Sequence, residues 1–179
     1  MAPRSCNGCI LCCTAVRVDS LAKPEWTVCR HSVEGVGCRI YATRPEDCRN
    51  WRCGYLQDEQ IAEHWYPKRC GMVLYLDERV PALEIRVNPD TPATWQAEPY
   101  YSDIKDWSAR TLRNGGRVYV RVQGRIIVIL PDRDIDLGIV SPDELIVYVG
   151  PPANDPTSLR RHVYTKREGE PDKGPADWR

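Results

Sequence analysis

Cys6, Cys9, Cys12 and Cys13 stand in the run Cys6-Asn7-Gly8-Cys9-Ile10-Leu11-Cys12-Cys13, and five more cysteines follow at Cys29, Cys38, Cys48, Cys53 and Cys70. Two cysteines separated by two residues can turn tightly enough to place both sulfurs about 2.3 Å from one zinc ion, or on neighbouring irons of a cluster. Two such turns share Cys9, so three thiolates of the run can meet one centre. Cys13 follows Cys12 directly, and its side chain is expected to leave in another direction, serving a second centre or bridging two. Four-coordinate sulfur sites take four cysteines, and eight of the nine divide into two such sets. The expected sets are Cys6, Cys9 and Cys12 with one remote cysteine, and Cys13 with the other three of Cys29, Cys38, Cys48 and Cys53. Cys70 lies apart and borders an apolar run, so it reads as a small core residue. The metal stays open between zinc, as two ions, and a [4Fe-4S] cluster. Soft sulfur selects both over harder cations, and C-x2-C-x2-C is a spacing that holds such clusters.

Other residues near the cysteines are weaker candidates. Arg44, Arg49 and Arg52 surround Cys48 and Cys53 and would offset thiolate charge, or else form a solvated helix face. His31 and His64 read as surface histidines rather than ligands, and His162 falls in the C-terminal stretch. Asp132, Asp134 and Asp136 resemble a calcium loop, but Gly138 and Glu144 each come one residue late, so a polar connection between strands is expected. Arg110, Arg113, Arg117, Arg121 and Arg125 form a basic run with Tyr119 beside it. A single-stranded nucleic acid could use such a face; an exposed hairpin surface is the simpler reading.

The elements that must position the cysteines divide the chain. Residues 1–70 are rich in Cys, Arg and Gly and lack apolar periodicity, so metal bonds are expected to replace a core there. One helix is marked by the capping box Thr43 to Glu46, by Pro45 in its first turn and by Gly54 as its end. Cys48 and Cys53 would both lie on it, about 140° apart around the axis and about 7.5 Å along it, too far apart to meet one ion on an unbroken helix. A second helical stretch is expected over 58–65. Residues 71–150 read as a small α+β portion, with strands over 72–76 and 83–87 and a Pro-rich loop at 88–94. A helix on the Ile104, Trp107, Thr111, Leu112 face ends at Asn114-Gly115-Gly116, and a hairpin turns at Gln123-Gly124. Ser141 to Glu144 is a further capping box before a strand over 146–149. Residues 151–179 read as a tail or extended arm.

The 25 basic and 25 acidic residues cancel, which disfavours nucleic acid as partner. No stretch reaches the roughly 20 apolar residues that cross a bilayer, and Met1 to Ile10 has no apolar core of a secretion signal. The expectation is a cytoplasmic protein, where clustered thiols stay reduced rather than pairing as disulfides.

The stretch Cys6-x2-Cys9-x2-Cys12-Cys13, then Cys29, then Cys38-Arg39-Ile40-Tyr41-x2-Arg44-Pro45-x2-Cys48-Arg49-x3-Cys53 resembles the CxxCxxCC family of zinc- or iron-chelating proteins. Flagellin lysine N-methylase carries a similar module. The resemblance covers about the first third of the chain and implies that eight cysteines bind metal. A Gly-rich turn for a methyl-donor cofactor is missing, as is a radical C-x3-C-x2-C motif, so methyl transfer is disfavoured and no catalytic residue is assigned. The expectation is therefore an α+β protein: a cysteine-rich, metal-stabilised module of short helices and loops, packed on a small antiparallel sheet with one or two helices. Its function is metal binding with a redox or protein-modification role. The alternative is an interaction module with purely structural zinc that binds a protein or RNA partner.

Overall fold

The computed structural model describes residues 4–77, 82–141, 143–149 and 162–171. The N-terminal module contains only short elements: α1 (Leu11–Ala15), the ribbon β1 (Ser32–Val33) and β2 (Gly37–Cys38), then α2 (Glu46–Asn50), α3 (Gly54–Gln57) and α4 (Pro67–Cys70). Single 3-10 turns lie at Asp19–Leu21, Tyr41–Thr43 and Glu63–Trp65. Two expectations are corrected here. The helix after Pro45 stops when Trp51 turns extended, with no side-chain cap at its start, and Gly54 opens α3 instead of closing α2. Cys53 thus caps the next helix and does not share one with Cys48. The stretch 58–65 holds one 3-10 turn, flanked by α3 and α4.

The second part is α+β. Strands β3 (Met72–Asp77), β4 (Ala82–Val87), β5 (Arg117–Val122), β6 (Arg125–Ile129) and β7 (Asp134–Ile139) form a sheet in that order, and α5 (Tyr100–Arg113) joins β4 to β5. The sheet is mixed: β4 and β5 run parallel and the other pairs antiparallel. The tight turn at Gln123-Gly124, both with positive φ, returns the chain antiparallel, whereas a crossover through a helix brings the next strand back parallel. Within the stretch expected to be a tail, His162–Arg167 forms β9, which pairs with β8 (Glu144–Val149) as a separate ribbon. Glu144 does reach back to the Ser141 N–H at 2.8 Å, but β8 begins there directly.

The core lies between the sheet and α5. Leu83, Ile85 and Val87 alternate inward with Val118, Val120 and Val122, the period of two that a half-buried sheet demands. Met72, Val73 and Leu74 are all buried, because the short helices of the module cover the other face of β3. Helix α5 buries Ile104 and Ser108, and the Ser108 hydroxyl donates to the Ile129 carbonyl at 2.6 Å. Asp103 on this helix accepts from the Trp65 indole at 2.7 Å and pairs with His64 Nε2 at 2.6 Å. Trp65 is fully buried against Trp107 and Tyr100. This junction binds the end of the module to the sheet. No residue of 4–50 enters the core cluster; it starts at Cys53.

The outer face of the sheet is occupied by charge pairs. Glu84 meets Arg86 at 2.7 Å and Arg121 at 3.0 Å, and Arg86 reaches Glu25 of the module at 2.9 Å. Arg117 lies 4.0 Å over the Tyr148 ring of β8, and Arg125 pairs with Asp136. Much of the basic run is thus paired within the chain. The three aspartates part company too: Asp132 pairs with Arg133, Asp134 with Lys105, and Asp136 with Arg125. Among the described residues, no helix is long and apolar enough to cross a membrane.

Asp103 generates a prediction. Asp103→Ala leaves the buried Trp65 indole and His64 without their acceptor and should lower stability by about 1–3 kcal/mol in chemical denaturation. Asp103→Asn keeps a carbonyl oxygen and should lose less. Equal stability of the alanine variant and the parent would show that the junction is not held by this carboxylate.

Candidate metal centre

The site begins with a turn. Cys9 N–H donates to the Cys6 carbonyl at 2.7 Å, and Asn7 and Gly8 between them both take positive φ. Such a turn brings Cys6 and Cys9 to one side. Cys12 and Cys13 follow in α1. Successive helical residues diverge by about 100°, so Cys12 and Cys13 leave α1 in different directions while both remain in the wall of the same cavity.

The next ligand candidates arrive through a backbone contact. Gly35 N–H donates to the Gly8 carbonyl at 3.2 Å, and a Cβ on Gly8 would lie 2.3 Å from the Gly35 carbonyl oxygen. Only glycine allows this approach, which presses the β1–β2 ribbon onto the first turn. The ribbon ends in Cys38, and Ser32 at its start donates to the Cys29 carbonyl from both N–H and hydroxyl. Cys48 rides on α2, which Asp47 ties to the Asp19–Leu21 turn by accepting from the Ser20 hydroxyl at 2.9 Å. Cys53 is stitched to the main sheet by a β-bridge with Tyr75.

All eight predicted cysteines line one cavity of about 1010 Å³. Its wall also carries Arg4, Lys23, Arg44, Arg52 and His31 and, among the described residues, no carboxylate. Cys70 is outside it, 3% exposed, with its thiol near the Trp65 and Met72 carbonyls; burial pushes that thiol up to about 12. His64 is spent on Asp103, while His31 lies in the wall beside Cys29. Arg44 stacks on Tyr41 at 3.8 Å.

The thiols influence one another across the cavity, and Cys12 and Cys13 perturb each other before any other neighbour. Burial raises Cys48, and the nearby Cys13, Cys29 and Cys38 raise it further. Burial pushes Cys53 up to about 11, against N–H donors of Tyr55 and Leu56, with Cys6 and Cys9 adding to the rise. Cys12 is raised by its hydrogen bond to Cys13 and by burial, with Cys53 and Cys6 among its neighbours. Cys13 is lowered by the Cys12 thiol, and Lys23 and Arg44 support its anionic form. Cys6 is raised by burial and by Cys9, Cys13 and Cys38, with Arg44 acting against them. Crowded sulfurs of this kind resist ionising together unless a cation sits among them. Among the described residues, however, no three His, Cys, Asp or Glu side chains converge closely enough to hold a single ion.

Sequence reasoning missed two members of the wall. Lys23 is 7% exposed, and Arg4 donates to the carbonyls of Tyr55, Asp58, Glu59 and Ile61. Neither lies in a motif; a lone lysine before Pro24 gives no signal. Trp51 lines the cavity as well, and its buried Nε1–H has no acceptor among the described residues.

The two glycines provide a test. Gly8→Ala meets backbone at 2.3 Å with φ at +74°, whereas Gly35→Ala, at φ +79°, meets nothing within 4 Å. Gly35→Ala should cost about 1 kcal/mol in thermal or chemical unfolding; Gly8→Ala should cost clearly more and separate Cys38 from Cys6. Equal losses would mean that the contact does not hold the ribbon. Compared with family models, with curated proteins and with solved structures, the chain has no match in any of the three.

Proposed function

We propose that this protein is a metal–thiolate protein in which Cys6, Cys9, Cys12 and Cys53 hold one centre and Cys13, Cys29, Cys38 and Cys48 hold a second. The observation that carries this is the opening of eight cysteines, drawn from separate segments, onto one cavity. The division keeps the run Cys6, Cys9 and Cys12 together and takes Cys53 as its remote partner, because Cys6 and Cys9 both act on the Cys53 thiol. Charge supports it as well. Eight thiolates on two dipositive centres leave a net charge of about 4−, and the wall presents four cations, Arg4, Lys23, Arg44 and Arg52.

The iron–sulfur form fits better than bare zinc. A zinc ion would draw its four sulfurs to about 3.8 Å from one another, given Zn–S bonds near 2.3 Å, and no convergent trio exists among the described residues. A cluster fills the space between its thiolates with an inorganic core, which suits ligands spread around an open cavity. The unpaired Trp51 N–H would find an acceptor in its sulfur atoms. Such a centre supplies one-electron chemistry. The eight cysteines hold and orient it, the short helices and ribbon fix their positions, and the cations stabilise its negative charge. The CxxCxxCC resemblance agrees with these ligands.

Anaerobic purification with iron, acid-labile sulfide and absorption measured on one sample tests this reading. A brown protein with a broad band near about 400 nm, bleached by a strong reductant, is the expected result. Colourless protein with two zinc ions would instead support the structural-zinc interaction module, and protein without either metal would remove the proposal. Cys48→Ser and Cys53→Ser should each lower metal content by about half, in keeping with four ligands per centre. Cys70→Ala should leave the content unchanged.

A further inference from the structure

The mouth of the cavity carries apolar side chains that stand open to water. Val28, Val36 and Tyr41 are 61%, 70% and 59% exposed, three of the five large apolar residues that are exposed among the described residues. Single exposed apolar residues are ordinary on any surface. These three, however, fall within residues 28–41; Val36 and Tyr41 both line the cavity, and Val28 precedes the lining residue Cys29. Tyr41 is also held in place. Arg44 donates to the Tyr41 carbonyl at 3.1 Å and lies 3.8 Å over its ring. An aromatic ring fixed in this way beside an arginine suits an interface anchor, because little rotamer freedom is left to lose on binding.

The charge around these residues is mostly of one sign. Arg52 lines the cavity, is exposed and makes no ion pair among the described residues. Arg39 and Arg49, next in sequence to the wall residues Cys38 and Cys48, are likewise exposed and unpaired there. The nearby carboxylates are largely engaged: Glu25 by Arg86, Glu34 by Lys68 at 3.7 Å and Asp47 by the Ser20 hydroxyl. Glu46 is left against three arginines.

We infer that the cavity mouth is a docking surface for a partner protein, with Tyr41 and Val36 as apolar anchors and Arg39, Arg49 and Arg52 selecting an acidic segment that also carries apolar side chains. Nucleic acid fits less well. Val28 and Val36 offer nothing to phosphates, and a single tyrosine with Arg44 over one face is no platform for successive bases. The inference goes beyond the metal reading and does not depend on it, since these side chains are outside the eight cysteines.

The test selects displayed random-sequence peptides on the immobilised full-length protein, purified anaerobically, and then measures the enriched peptides against variants. Enriched sequences should combine Asp or Glu with large apolar side chains and contain few Lys or Arg. Val36→Asp should weaken them by about tenfold or more, as replacing an anchor by a repelling charge does, and Tyr41→Ser should act in the same direction. Arg52→Glu should lower affinity and flatten its decline with added salt. Leu145→Ser, at an exposed apolar residue outside the cavity wall, should change nothing. Should Tyr41→Ser disturb the fold through Arg44, Val36→Asp decides by itself. Enriched peptides that are not acidic, that bind Val36→Asp as well as the parent, or that never saturate would overturn the inference. So would a single-stranded oligonucleotide that binds through the same residues more tightly than the acidic peptides. Metal content measured on the same samples keeps the two readings apart: peptide binding by metal-free protein would sink the metal reading alone, and metal without peptide binding would sink this one.

Discussion

The gathering of eight cysteines around one cavity is the constraint on which the N-terminal module turns. As neutral thiols they contribute little cohesion, and as thiolates they push one another apart. The segment that carries most of them has no compensating core: within residues 4–50 only Cys9, Ala15 and Val18 are buried apolar side chains. Backbone contacts such as Gly8 against Gly35, and polar ties such as Asp47 to Ser20, set the approximate shape. Lys23 and Arg44 favour the ionised form of Cys13, while burial and neighbouring sulfurs hold Cys6, Cys12, Cys48 and Cys53 toward the neutral thiol. The proposed metal centres would convert that opposition into cohesion, because each sulfur–metal bond gains from the charge that otherwise separates the ligands.

The α+β portion gives this module a rigid support. Its core alternates with the strand period, and α5 seals one face through Ile104, Ser108 and the Asp103 junction. The module rests on β3, and the chain crosses from one regime to the other at Cys53, whose backbone bridges to Tyr75 while its thiol lines the cavity. One residue therefore belongs both to the hydrophobic core cluster and to the thiol set. That coupling gives Cys53 a fixed anchor, while Cys38 depends on the ribbon and Cys48 on α2.

Electrostatics elsewhere in the molecule point away from polyanion binding by the sheet. Arg117, Arg121 and Arg125 face outward, but Tyr148, Glu84 and Asp136 engage them. The cations Arg4, Lys23, Arg44 and Arg52 instead gather in the cavity wall.

Much of the second part was legible in the sequence, because alternation and helical period report directly on which face is buried: Leu83, Ile85 and Val87, and the Ile104 face of α5, lie where their patterns place them. The parallel β4–β5 pair and the β8–β9 ribbon depend on long connections whose path no local pattern encodes. The eight cysteines singled out by their spacing come together in one cavity wall, with Cys70 outside it, while their role as metal ligands belongs to the proposal. Local signals misled at Gly54, where a residue that ends helices opens one because the chain had already turned extended at Trp51 to reach β3. That these cysteines share one cavity wall, and that Lys23 and Arg4 stand in it with them, only the tertiary structure decided. Proximity between segments far apart in sequence is set by packing and backbone contact, and charge acts through space rather than along the chain.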